Sequence, residues 1–177
     1  MAEKKETQEK WKNSIVGYGE VSPKTLIEHP DNFKIHTAFQ SEVVEGSLRE
    51  LGWIQDVTVS KRSGRIIDGH LRVALALKEK LPTVPVKYVD LNEMQEREAI
   101  LLIDPSAGLA GIDKDLLDNC LRETQSGETA IQQFLAQLAE TSGLEYDKKE
   151  SGDTPDGFED VGDQNLGNQC PKCGYEF

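Results

Sequence analysis

Five consecutive residues, Asp68-Gly69-His70-Leu71-Arg72, close a β-type apolar run at Ile66-Ile67 and open a strongly apolar, helix-like run. A glycine at a strand-to-helix turn lets backbone N–H groups approach a phosphate, and the helix N-terminus adds about half a positive charge aimed at the same point. Arg72 is a bidentate phosphate partner by its chemistry, and Asp68 and His70 are the groups there that could act as a base. The plain alternative is a tight turn in which Gly69 takes a positive φ and Arg72 pairs with an acid. A second group, His29-Pro30-Asp31-Asn32-Phe33-Lys34-Ile35-His36, gathers polar and cationic side chains on a stretch too broken for regular structure. Such loops often carry function, although Pro30 and Asn32 equally read as turn formers with His29 and His36 at the surface. Asp31, Asp56 and Asp68 are the carboxylates that a Mg²⁺-dependent reaction would need to bring together, and their spacing does not fix whether they converge. Finally, Cys170-Pro171-Lys172-Cys173-Gly174 presents two thiolates to zinc, where a structural site wants four ligands. Cys120 reads as a core residue on an apolar helical face, so the missing pair comes from a second chain, from a downstream domain, or not at all.

The elements that must position these residues follow from periodicity. Residues 1–14 offer charge without apolar repeat and are expected to be a disordered tail. A strand is expected over Ile15–Val21, ended by Ser22-Pro23, with Leu26 and Ile27 giving core contacts. A helix is expected from Ser41 to Leu51, capped by Ser41 and terminated by Gly52. Asp56–Ser60 alternates, placing Val57 and Val59 on one face, and Lys61-Arg62-Ser63-Gly64 turns the chain into Arg65–Asp68. The helix after Gly69 is apolar enough to be largely buried, with Pro82 closing it. Val84–Val89 is a strand in which Pro85 argues for an edge or first position. Asn92 with Gln95 forms a capping box for a helix that Asp104-Pro105 should stop. Ile112, Leu116, Leu117, Cys120 and Leu121 define one amphipathic helix, and Ile131, Phe134, Leu135 and Leu138 a second, separated by Ser126-Gly127. The pair packs on the main domain or on a partner.

The resulting organisation is a tail (1–14), an α/β (α+β) domain with a small mixed sheet (15–105), a helical hairpin (106–144), an acidic linker (145–169) and a Cys-x₂-Cys half knuckle (170–177). Of 177 residues, 32 are acids and 20 are bases, for a net charge of −12. Between Glu145 and Asp163 eight acids face two lysines, a local −6, so half the net charge sits in a spacer or an autoinhibitory tail. The basic footprint of an autonomous nucleic-acid binder is missing, and any DNA contact needs a local patch or a partner. No run approaches the ~18 apolar residues of a membrane span, the N-terminus lacks a signal-peptide core, and the cysteine usage suits a reducing compartment, so a cytoplasmic location is expected.

Taken together, Gly52-Trp53-Ile54-Gln55, the hairpin, Ile67-Asp68-Gly69-His70-Leu71-Arg72 and Val84-Pro85-Val86 resemble the ParB/sulfiredoxin superfamily, and the segment His29–His36 resembles the first box of ParB-like domains. The resemblance covers about Val16 to Pro105. It is nearest to ParB-like domains of phages and mobile elements that precede DNA methyltransferase domains, where Asp-Pro, an alanine-rich turn and a helical pair also follow. The resemblance implies a phosphate box formed by Gly69, His70 and Arg72, lined by Asn32, Lys34 and His36 and supported by Gln55. Implied ligands are CTP, as in ParB clamps, or ATP, with Mg²⁺. Implied partners are nucleotide, DNA directly or through another protein, a DNA methyltransferase, and a second copy of the chain. Two departures narrow this. ParB clamps carry Glu-Arg-Arg after the glycine where His70-Leu71-Arg72 stands here, and sulfiredoxins carry a cysteine where His70 stands, which removes sulfinic-acid repair. The expectation is a phosphate-binding, nucleotide- or DNA-associated module. Its rivals are a nuclease or nucleotide-hydrolysing or kinase enzyme using Asp68 or His70, and a non-catalytic adaptor.

Overall fold

Alternation in sequence becomes a four-stranded mixed sheet in the computed structural model, which describes residues 11–146. Most of the N-terminal tail, the acidic linker from Asp147 onward and the Cys170/Cys173 pair lie outside the described residues. The strands are β1 (Ile15–Val21), β2 (Val57–Ser60), β3 (Ile66–Asp68) and β4 (Val84–Val89). The helices are α1 (Ala38–Glu50), α2 (His70–Lys78), α3 (Glu93–Ala107), α4 (Lys114–Glu123) and α5 (Thr129–Ser142), and a 3-10 turn spans Pro23–Thr25.

The sheet order is β1-β4-β2-β3. Gly64, at φ +70°, closes the β2–β3 hairpin, where its N–H donates to the Ser60 carbonyl at 2.9 Å. α2 then carries the chain back so that β4 runs parallel to β2, with Val57 opposite Val86, and β1 adds antiparallel to β4. One face of the sheet buries Val57, Val59, Ile66, Val84 and Val86 against Val73 and Ala76 of α2. The other face buries Ile67 and Val89 against Ile100 of α3. Because helices cover both faces, the whole of β2 is buried, not only Val57 and Val59 as alternation predicted.

The structure corrects several sequence expectations for local reasons. α1 starts at Ala38 because Thr37, not Ser41, caps it by accepting the Gln40 N–H. β4 is an interior strand; Pro85 is tolerated because the ladder to β2 begins only at Val86. α2 ends at Lys78, before Pro82, and its Leu77 is exposed. Pro105 falls inside α3, near its C-terminus, where the helix runs on to Ala107. Of the apolar run Ile100–Ile103 only Ile100 is buried, since one helical face meets the sheet and the other three side chains point outward. Ile27 is exposed too, contributing instead a backbone bridge to Arg65 beside β3. Cys120 is exposed, not core.

The helical pair packs on the domain through α5 against α1. Gly46 makes the close approach possible: a Cβ there would lie 3.3 Å from Glu128 Cβ. Arg49 Nη1 then donates to Glu128 Oε2 at 2.9 Å across the same seam. α1 is thus held between α5 on one side and α2 on the other, where Lys78 pairs with Glu45 at 2.9 Å.

Candidate phosphate-binding site

The apolar strand β3 ends at Asp68, and Gly69 turns the chain directly into α2. Gly69 is buried, sits in the left-handed region at φ +96° and is the N-cap of α2. Its side of the helix has no capping side chain and no acid in the first turn, so the first N–H groups of α2 lack intrahelical partners. Space as well as conformation demands glycine. A Cβ would lie 3.3 Å from Val57 Cα and 3.2 Å from Arg72 Nη2.

Arg72, one turn on, lays its guanidinium over Gly69. Nη1 donates to Gln55 Oε1 at 2.8 Å, and Nη2 donates to Asp68 Oδ2 at 2.9 Å and to the Asp56 carbonyl at 3.4 Å. Its Nε is buried without a hydrogen-bond partner. Beside Arg72, a cleft of about 200 Å³ runs along α1, lined by Val43, Val44 and Leu48 with Gly52, Ile54 and Gln55. The cleft is apolar along one wall and polar at the end where Gln55 and Arg72 meet.

On the other side of Gly69 the ring of His70 accepts the backbone N–H of His29 on Nε2 at 3.4 Å. Burial pushes the His70 imidazole below its ordinary pKa; Glu28 and Asp68 oppose that shift, while Lys34 and His29 add to it. Lys34 reaches back to α3 in an ion pair with Asp104, and its N–H donates to Asn32 Oδ1 at 3.4 Å. The His36 ring is 3.1 Å from Gln40 Oε1 at the start of α1. The structure therefore brings Gln55, Asp68, Gly69, His70 and Arg72 together around one helix terminus. Of the His29–His36 segment, Lys34 and His29 act on His70, whereas Asn32 and His36 make their hydrogen bonds within the loop and to α1.

Asp31 pairs with Arg97 at 2.8 Å, and Asp68 with Arg72. Among the described residues no group of three or more His, Cys, Asp or Glu side chains is placed to hold a metal ion. No helix among them is long and apolar enough to cross a membrane.

Sequence reasoning missed a buried polar cluster next to this terminus. Glu96 of α3 is 2% exposed and accepts from Ser60 Oγ at 2.6 Å and Ser63 Oγ at 3.1 Å. His29, expected at the surface or in a functional loop, is 4% exposed. Its Nε2 lies 3.4 Å from Glu96 Oε2, within ion-pair reach yet not aligned as a hydrogen bond. A glutamate in the first turn of a helix ordinarily reads as a dipole partner, so nothing local marked it.

Neither a protein-family model nor a curated protein matches the chain. Among solved structures, it is similar to the C-terminally truncated chromosome-partitioning protein ParB from Caulobacter crescentus complexed with CTP-gamma-S. That likeness has a TM-score of 0.49 at 20% identity, over 70% of this chain and 79% of that one. It is also similar to the pNOB8-like ParB N-domain, with a TM-score of 0.46 at 23% identity over 75% of this chain. The chain covers only 50% of that protein's length. Both are structures of ParB proteins.

Proposed function

We propose that this chain is a ParB-like nucleotide- or DNA-associated module that binds phosphate at the N-terminus of α2. One observation carries the reading: Gly69, at φ +96° and without room for a side chain, opens α2 directly beneath the guanidinium of Arg72. Free N–H groups and a helix dipole favour an anion there. The buried, unpartnered Nε of Arg72 is a donor for which a phosphate oxygen is a chemically suitable acceptor. In this reading Gly69, His70 and Arg72 contact the phosphate, Gln55 holds the guanidinium, and Asn32, Lys34 and His36 contribute from the preceding loop. Mg²⁺ would accompany a triphosphate such as CTP or ATP, neutralising the oxygens that the protein leaves free.

Such a module would serve a DNA-modification partner, for example a DNA methyltransferase in a phage or mobile element, and would meet DNA through that partner or as a homodimer. Cys170 and Cys173 would complete a zinc site only with ligands from another chain or domain.

Calorimetric titration of CTP, ATP and GTP, each with Mg²⁺, into wild type and Arg72→Ala tests the reading. Saturable binding of at least one nucleotide to wild type, weakened at least tenfold in Arg72→Ala, is expected. No binding of any of them by wild type overturns it.

A further inference from the structure

The phosphate reading leaves one buried carboxylate without a task. Glu96 is 2% exposed, and its two oxygens take hydroxyls from Ser60 and Ser63. A carboxylate withdrawn this far from water persists only where partners compensate it. The remaining polar neighbour is His29, whose Nε2 stands 3.4 Å from Glu96 Oε2. His29 Nδ1 accepts the Asp31 N–H at 3.1 Å, which leaves Nε2 as the ring position that bears hydrogen and faces the carboxylate. His29 is placed by its ring, which stands within ion-pair reach of Glu96 though not aligned with it as a hydrogen bond, and by its local turn through Asp31 and through the Asn32 N–H, which donates to the His29 carbonyl at 3.1 Å. The backbone N–H of His29 is what meets the ring of His70.

We infer that Glu96 is a positioning residue: acting through His29, it holds a backbone N–H against Nε2 of His70 and so keeps the neutral imidazole protonated on Nδ1 at the N-terminus of α2. With Nε2 occupied as an acceptor, Nδ1–H is the ring's one remaining donor. Four charged or titratable groups bear on that ring: Glu28, Lys34, Asp68 and His29. Each lies outside α2. The path runs from Glu96 on α3 directly to His29 in the loop before α1, with Ser60 and Ser63 holding the carboxylate, and none of its members is adjacent in sequence to His70. The inference concerns the same helix terminus as the phosphate reading but does not need a nucleotide, so either can fail without the other.

Nitrogen-15 NMR of the histidine rings in the full chain tests it, with circular dichroism and a urea curve to establish that each variant is folded. In wild type above pH 7.5, His70 is expected as the Nδ1–H tautomer, with Nε2 unprotonated. In Glu96→Gln, which keeps shape and polarity but presents no charge to His29, the His70 nitrogens are expected to move toward the mixed-tautomer values of free histidine. Glu96→Asp is expected to restore part of the wild-type signature. A merely structural Glu96 would leave the His70 tautomer unchanged in folded Glu96→Gln. Where Glu96→Gln does not reach a native fold, Ser63→Ala takes its place. It keeps the carboxylate but releases the oxygen facing His29, and a smaller shift of the same signals is expected. An Nε2-protonated His70 in wild type, or an unchanged His70 spectrum in the folded variant, overturns the inference.

Discussion

Replacing Gly69 by alanine separates the two demands that the site makes on this position. The first is conformational: at φ +96° an L-residue other than glycine is strained by about 1–2 kcal/mol. The second is space. The new methyl would lie 3.3 Å from the Cα of Val57, which belongs to a strand paired on both sides and cannot retreat, and 3.2 Å from Arg72 Nη2, which can. Overpacking of this kind costs about 1–3 kcal/mol more. Gly64→Ala is the control, because Gly64 has φ +70° but its nearest neighbour is a side-chain methyl of Ile27 at 3.8 Å. Urea unfolding followed by circular dichroism should therefore show a loss of about 2–5 kcal/mol for Gly69→Ala against about 1–2 kcal/mol for Gly64→Ala. Nucleotide binding should be lost in the first and kept in the second, since only the first displaces the guanidinium and covers the helix terminus. Equal destabilisation of the two variants, together with unaltered nucleotide affinity in Gly69→Ala, would refute the reasoning.

Other perturbations test neighbouring steps. Asp68→Asn removes the negative charge next to Arg72 while Gln55 still holds the guanidinium, so nucleotide should bind more tightly, by a factor of about three to ten for a part-exposed pair; calorimetry showing weaker binding would contradict this role for Asp68. The lowered pKa of His70 means that the folded state resists protonating this ring. Its contribution is therefore fully present above the ordinary value of 6.5 and is lost as pH falls from there toward the depressed folded value. The urea midpoint should fall between pH 7 and pH 5 more in wild type than in His70→Asn; identical pH profiles would contradict it. Ile67→Ala opens a hole where the sheet meets α3 and should cost about 2–5 kcal/mol in the same urea assay without changing the unfolding slope.

The parts of the fold that were legible in the sequence are those fixed by neighbours along the chain. β1 occupies Ile15–Val21 as expected, and the Asn92/Gln95 capping box forms with both reciprocal bonds. Gly64 and Gly69 take the positive φ that their turns require. What could not be read depends on contacts between distant segments. Pro85 reads as an edge marker, yet strand order puts β4 between two partners and merely starts one ladder a residue later. Leu101, Leu102 and Ile103 read as core by composition, but α3 has a single face on the sheet. At the site, the glycine, Arg72 and Gln55 carried a local or motif signal. The Glu96–His29–His70 path carried none, because it is assembled by burial of a loop, a hairpin and a helix against one another.

The central claim is that phosphate sits on the first turn of α2, and the backbone amides there report on it directly. In proton–nitrogen correlation spectra, addition of CTP or ATP with Mg²⁺ should shift the amide signals of Gly69, His70, Leu71 and Arg72 saturably, with inorganic phosphate moving the same signals at higher concentration. Signals of the α4–α5 pair should stay in place. Nucleotide binding that leaves these four amides unmoved while shifting others would place the ligand elsewhere and contradict the account.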